Sequence, residues 1–413
     1  MRERPREKPP AAPATPAAPG ARHGTRRLVG LDAARGLALV AIMCVHILPM
    51  SYAATGRPTV TWILFPGDSP ALFALLAGTG LALTSGGRRP VRGRELTAAR
   101  AGVAVRALLL LVLALLIGRL MPPEPPAYNI LIYFAAYFLL ALPVLGLGPR
   151  ALFLGAAVAL VAGPLLLHLA GDALPEFSSY NPTAATLVTE PLAVLGQLLL
   201  TGTYPALPYL AYVLAGMAIG RLNLRRRDVQ VRLVVVGALL AVTAKLVSRQ
   251  LLYAGDVYTR LLFSDPDLTA AQLESLLTYG PEGRLPTTSP WWLVLTTPDV
   301  NTPFSVAWSL GVSLAVVGSC LLLARRHSTW LLPVAAMGTM SLTLYTAHLV
   351  FLSFEVFYTA PALWLVASLL LSVLFALAWQ RAFGRGPLER GMAAVVRPVR
   401  RTVARTPAQR SSR

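Results

Sequence analysis

Residues 31–52 read LDAARGLALVAIMCVHILPMSY. The run is long and apolar enough to cross a hydrocarbon layer of about 30 Å, which takes roughly 20 helical residues. Yet it carries Asp32, Arg35 and His46 within the crossing. Its length decides the fold class, and its three ionisable groups raise the question of function. Working outward, further apolar runs follow at about 61–85, 99–120, 128–146, 151–170, 205–221, 232–252, 304–324, 333–354 and 361–382. Together they predict an all-α, polytopic membrane bundle of about ten transmembrane helices.

Composition agrees. Of 413 residues, 55% are hydrophobic and only 13% charged, and the mean hydropathy is +0.60. That is about half the charge of a soluble domain, too little to cover a soluble particle of this size. A soluble globular protein and a disordered one are both excluded. Residues 1–29, rich in Pro, Ala and Arg, read as a disordered basic tail, and 384–413 as a second one. The membrane domain is 30–383, with long outer loops at 171–204 and 253–303. Pro191–Leu200 is apolar but too short to span, so it reads as interfacial or re-entrant. Leu268–Tyr279 reads as a surface helix opened by Asp267 and stopped by Gly280. Trp291 and Trp292 suit an interfacial belt.

The net charge of +19 would suggest nucleic acid in a soluble chain, but the basic residues are not scattered. Alternate loops hold 29 of the 37, and most acids fall in the intervening loops. The positive-inside rule then predicts both termini in the cytoplasm. The charge reads as topology with some attraction for anionic membrane lipid, and no nucleic-acid partner is expected. Cys44 and Cys320 both lie in apolar runs and imply no disulfide framework. No phosphate-binding glycine loop, HExxH or paired-cysteine metal pattern stands in a usable context, so no metal is expected.

An ionisable group at the centre of a span costs about 2.5–3.5 kcal/mol on insertion scales and needs a reason. Asp32 and Arg35 are one turn apart and face each other. Arg35 and His46, eleven apart, share a face and lie about 16 Å apart along the axis. Arg35 is near the cytoplasmic mouth and His46 in the outer half. On spacing alone two readings stand: a self-neutralised pair with a hydrogen-bonded histidine, or one helix face linking two sides of the membrane. The ninth span carries Ser341, Tyr345, His348 and Glu355 along one stripe. It could serve interhelical hydrogen bonding, but His348 lies at a depth comparable to His46. The segment Phe65-Pro-Gly-Asp-Ser-Pro70 breaks a helix. Asp68 or Ser69 can cap the half-helix that follows, whose N–H groups would suit an oxyanion; a plain loop-to-helix junction is the alternative. Ala74, Gly78 and Ala82 repeat every fourth residue, as close helix contact requires. His168, beside Asp172, reads as interfacial, and Arg106, Lys245 and Arg249 as snorkelling side chains.

The stretch RLVGLDAARGLAL at 27–39, followed by His46, resembles the first-span signature of the transmembrane acyltransferases. It is most similar to their heparan-alpha-glucosaminide N-acetyltransferase-like bacterial branch, and the Arg35–His46 spacing also matches the polysaccharide O-acetyltransferases. Looser similarity runs through Phe73–Leu83, GTYPALP at 202–208 up to Gly220-Arg221, and SLTLYTAH at 341–348. The resemblance implies transfer of an acetyl group from cytoplasmic acetyl-CoA to a sugar amine or hydroxyl across a bacterial-type cell membrane. It places the catalytic position at His46, with Arg35 as its basic partner. Asp32 and His348 join them as candidate catalytic residues, and Asp68, Ser69 and Tyr345 as candidate substrate-binding ones. Expected partners are the acyl-CoA donor, a glycan or lipid-linked sugar acceptor, membrane lipid, and a second copy of the chain as a homodimer. A histidine can take a proton from the attacking group or carry the acetyl itself. Arg35 is too far off to stabilise the oxyanion and suits a carbonyl or phosphate of the CoA arm, or orientation of Asp32. The alternative is a transporter or exporter of a lipid or sugar that uses the same buried groups as a relay. Against it, the halves show no convincing repeat.

Overall fold

The computed structural model describes residues 28–405 apart from Pro66 and Glu282. In chain order the helices are α1 (Val29–Ile47), α2 (Val60–Leu64), α3 (Ser69–Thr84), α4 (Gly93–Leu120), α5 (Leu131–Ala141) and α6 (Pro149–Ala170). The outer loop contributes α7 (Ala184–Thr189) and α8 (Pro191–Gly196), and α9 (Ala206–Gly220) and α10 (Arg227–Ala254) follow. Then come α11 (Val257–Leu262), α12 (Ala270–Tyr279), α13 (Pro303–Arg326), α14 (Leu332–Thr339), α15 (Ser341–Leu352), α16 (Pro361–Phe383) and α17 (Pro387–Ala404).

Among the described residues, seven helical runs are long and apolar enough to cross a membrane, and up to nine if each of two bent pairs counts as one span. The bent pairs are Pro191–Thr201 with α9, at 50°, and α14 with α15, at 81°. Nine of the ten expected runs are among these, and the tenth, at 128–146, is a shorter apolar helix. The run at 128–146 forms only α5, 11 residues long, about half a bilayer at 1.5 Å per residue. Most of its side chains are buried, and it still carries the chain from Tyr128 at the acidic end to Leu142, Pro143 and Leu145, whose carbonyls accept from Arg100 and Arg221 at the basic end.

Helices α1 and α13 are central. Gly36 and Gly338 let α1 and α14 touch: a Cβ at Gly36 would strike the Val334 carbonyl, and one at Gly338 the Asp32 carbonyl. The small-residue repeat of α3 does the same against α9, where a Cβ on Gly78 would meet the Val213 carbonyl. Without a hydrophobic drive between helices in lipid, such close approach is what holds them. Helix α16 lies outermost, with Leu363, Leu371 and Leu374 about two-thirds exposed to the lipid side.

Hydrogen bonds sort the connections into two ends. Arg221 donates to the carbonyls of Ala82, Ser85, Gly87 and Leu145, Arg100 to those of Leu142 and Pro143, Arg325 to that of Arg225, and Arg400 to that of Thr84. The basic loops therefore gather at one end. At the other, Trp62 donates to the Thr278 carbonyl, Tyr279 to that of Gly56, Arg284 to that of Gly171, and Asn301 to that of Thr203.

Four local expectations change. The expected tail 384–413 holds α17, whose Glu389, Met392, Ala393 and Val396 turn inward at helical spacing while arginines cover the outside. An apolar stripe threaded through a basic, Pro-containing segment is invisible to composition but suffices for an amphipathic helix. The rest of both expected tails, 1–27 and 406–413, lies outside the described residues. Trp292 is fully buried, its Nε1 donating to Thr288, in a second small core with Val257, Leu261 and Leu273; it anchors the outer loop and is no interfacial belt residue. Trp291 is partly buried and packs under Arg260. Helix α12 is opened by Thr269, paired with Gln272 in a capping box, and not by Asp267; Gly280, at φ +90°, stops it as expected. Finally, α15 ends at Leu352, so Glu355, exposed and at φ +55°, is not on the stripe of Ser341, Tyr345 and His348.

Candidate active site

Because α1 is pinned between α3, α13 and α14, its polar face looks into the bundle. Arg35 Nη1 donates to Asp32 Oδ1 at 2.9 Å. Both line a cavity of about 430 Å³ that runs to the basic end, where Arg385 and Glu389 join its wall. Arg106 of α4 faces the same space, so it does not snorkel outward as its place in the sequence suggested. Phe73, Phe134 and Phe138 supply apolar lining. Three guanidinium groups against two carboxylates, one of them paired with Arg35, beside a phenylalanine-lined stretch favour a ligand that is anionic at one end and apolar along its length.

The C-terminal helix is wired into this site. Glu389 of α17 accepts hydrogen bonds from the backbone N–H groups of Leu342 and Thr343, at 2.9 and 3.2 Å, and from the Thr343 hydroxyl at 2.6 Å. These are first-turn donors of α15, which lack partners inside their own helix. A carboxylate there also complements the helix dipole. Glu389 thus fixes the start of the helix that carries Tyr345 and His348.

One helical turn beyond the cavity, α1 and α15 meet through their histidines. His46 Nδ1 and His348 Nε2 lie 3.2 Å apart with nearly parallel rings. Which nitrogen holds the shared proton follows from the tautomers. His348 is 3% exposed, and its Nδ1 has no hydrogen-bond partner among the described residues. His46 is partly exposed, and its contact with His348 engages its Nδ1. Neither ring lines the cavity; Ile42 and Tyr345, one turn closer to the basic end, do.

On the other side is a recess of about 300 Å³ at the acidic end. Tyr128 and Tyr180 stack there at 4.5 Å, Asp172, Glu176 and Arg284 bring charge, and His168 and Asp299 also line it. Residues 128–131 separate the two spaces: Tyr128 lines the recess and Ile130 the cavity. The Tyr345 hydroxyl closes this partition, accepting from Ile130 N–H at 3.3 Å and donating to the Tyr128 carbonyl at 3.5 Å. Asp299 is exposed to the recess, within a wall of protein atoms. Desolvation by that wall, reinforced by Asp68, raises its carboxyl pKa to about 7.

Asp68 and Ser69 are elsewhere. Asp68 stands at the N-cap position of α3, but its side chain makes no cap bond. It turns to α13 and accepts from Trp308 Nε1 at 3.2 Å and Ser309 Oγ at 2.5 Å. A small void of about 60 Å³ joins it to Asp299 and Lys245. Ser69 is buried at the start of α3 and lines none of these spaces. The structure therefore unites Asp32 with Arg35, adds Tyr345 to their cavity, and pairs His46 with His348, but leaves Asp68 and Ser69 apart. Sequence reading missed Arg106, Arg385, Glu389 and the Tyr128–Tyr180 pair. For Arg106 the signal was present, an arginine in the middle of a span; the others become visible only when distant segments meet.

The family model for the heparan-alpha-glucosaminide N-acetyltransferase catalytic domain matches residues 27–253, more than half of the chain. No curated protein matches the chain. The match takes in α1 with Asp32, Arg35 and His46 and stops before α15 and α17. The chain belongs to the heparan-alpha-glucosaminide N-acetyltransferase family and is, in general terms, a transmembrane acetyltransferase.

Proposed function

We propose that the protein moves an acetyl group from cytoplasmic acetyl-CoA to an amine or hydroxyl of an extracytoplasmic glycan or lipid-linked sugar, with the His46–His348 pair at the point of transfer. The observation that carries this reading is the pair itself: two imidazoles in hydrogen-bond contact, one turn beyond a cationic cavity that reaches the basic end. The positive-inside rule assigns that end to the cytoplasm, with both termini on that side.

Arg35, Arg106 and Arg385 suit the phosphates of the donor, and the phenylalanine-lined slot suits its apolar arm. The Tyr345 bridge must open for the thioester to come level with the histidines. His46 Nε2 then takes the proton of the attacking amine or hydroxyl as the new C–N or C–O bond forms. The C–S bond breaks, and the proton is returned to the leaving thiolate. His348 holds the His46 ring in one tautomer and shares the charge it gains. Asp32 fixes the Arg35 guanidinium. The stacked tyrosines and acids of the recess suit a sugar, whose ring faces pack on aromatics and whose hydroxyl or amine groups meet carboxylates.

Proteoliposomes carrying labelled acetyl-CoA on the basic side and an amino sugar on the other test this directly. The wild type should acetylate the sugar. Full activity in both His46→Ala and His348→Ala would overturn the site. Quenching in acid and mass analysis of the α1 peptide separates the two chemistries, since only a covalent relay leaves acetyl-histidine at His46.

A further inference from the structure

Lys245 and Arg249 stand one turn apart on the same face of α10, close to its end at Ala254. The surface around them is lipid-facing: Val242, Leu246 and Tyr253 are 52%, 60% and 60% exposed. Among the described residues neither cation makes a hydrogen bond or a close ion pair; Lys245 rests 5.4 Å from the Trp308 ring centre and feels the Asp68 carboxylate across the small void they share. Snorkelling accounts for two cations near a helix end, but it does not account for what lies beside them.

A groove of about 460 Å³ runs between α10 and the segment before α13, with Lys245, Ser248, Arg249, Thr296 and Thr297 along it and Leu295 on its wall. Its floor is polar, since Ser248 and Thr296 hydroxyls are bonded at 3.4 Å. Lys245, Thr296 and Thr297 also line the small void of Asp68 and Asp299. That void in turn shares Asp299 and Asn301 with the outer recess. Neighbouring spaces thus share walls from the membrane side of α10 to the recess, with two cations at the outer groove and carboxylates further in.

We propose that this groove binds the phosphate of a lipid-linked sugar, and so is the subsite through which the acceptor reaches the recess from within the bilayer. Cations at the mouth, hydroxyls on the floor and apolar side chains on the rim match an amphiphile with a phosphate between a lipid tail and a sugar. The inference rests on the acetyltransferase reading above and narrows its acceptor to a membrane-anchored one.

The test uses the full chain in neutral phosphatidylcholine nanodiscs. Two acceptors are compared, an amino sugar on polyprenyl phosphate and its soluble methyl glycoside. Arg249→Gln should raise KM for the lipid-linked acceptor about tenfold, the loss of one charge-assisted hydrogen bond, and leave kinetics on the glycoside unchanged. Arg249→Lys should restore most of it. An equal change on both acceptors, or none on either, overturns the groove. If the wild type acetylates neither acceptor, the enzymatic reading fails, and the groove is judged by binding alone. Native mass spectrometry should then show polyprenyl phosphate retained by the wild type and lost in the Lys245→Met, Arg249→Gln double variant; equal retention overturns the site. Phosphatidylglycerol separates the two sources of phosphate: if it displaces polyprenyl phosphate one for one, the groove is an ordinary lipid seat and the acceptor assignment falls.

Discussion

The cavity at the basic end and the recess at the acidic end lie on the two sides of one thin partition, yet they are built from opposite chemistry. The cavity holds Arg35, Arg106 and Arg385 among phenylalanines, with Asp32 and Glu389 each tied to groups of the protein. The recess holds Asp172, Glu176 and Asp299 beside stacked tyrosines, and its Arg284 is spent on the Gly171 carbonyl. Under the proposed function, one space suits an anion with an apolar arm and the other a polyhydroxyl or cationic group. The difference gives the molecule a direction, and the histidine pair lies one turn beyond the residues of α1 and α15 that line the cavity.

The comparison breaks first at the pair. His46→Ala should lower the rate of acetyl transfer by about 10²–10⁴-fold, the usual worth of a positioned acid–base group. Adding His348→Ala should cost little more, because the two act as a unit; initial rates on labelled acetyl-CoA measure both. Independent, multiplying losses would mean that the rings do separate jobs.

The donor side comes next. Arg35→Ala with Arg106→Ala should raise KM for acetyl-CoA by roughly 100-fold, two charge-assisted contacts at about 1.4 kcal/mol or more each, with KM for the acceptor unmoved. A rise in acceptor KM instead would erase the contrast between the two spaces.

Asp299 sharpens the acceptor side. Its carboxyl titrates near pH 7, well above the ordinary 3.8, so the native fold favours the protonated form. Its contribution to stability is therefore complete below about pH 4 and is lost as pH rises through 7. Binding runs the other way, since only the ionised form attracts an ammonium group. Affinity for an amino-sugar acceptor should climb several-fold between pH 6 and about 8 as a carboxylate charge appears, and Asp299→Asn should flatten both profiles. Acceptor KM and thermal unfolding across that range measure the two trends.

The smallest effect belongs to the clamp behind the donor cavity. Glu389→Ala removes a carboxylate from the first turn of α15 and should cost about 1 kcal/mol, with Glu389→Gln retaining part of it. Thermal unfolding in detergent reads this directly, and no shift would mean that α17 merely lies against the bundle.

Legibility in the sequence followed length scale. The apolar runs located nearly every membrane helix, because burial in lipid is demanded residue by residue along the chain. Asp32, Arg35, His46 and His348 stood out because an ionisable group inside such a run is expensive wherever the helix ends up. Asp68 was legible as an N-cap and misleading as a ligand. Its position in the chain fixed the first, but Trp308 and Ser309, some 240 residues away, decided where its carboxylate went. The same holds for α5, whose apolar run predicts contact with lipid until neighbours bury it, and for Trp292, which marks a bilayer surface until a loop core closes round it.

By itself, the sequence determined the membrane class, the alternation of basic and acidic loops and the ionisable residues of α1, since each depends only on local hydropathy, charge and helical period. Tertiary structure alone decided that His46 finds His348, that Arg106 turns inward, that α17 caps α15 and that the two cavities share a wall. Those are contacts between residues far apart in the chain, and no local energy term specifies which helices will become neighbours.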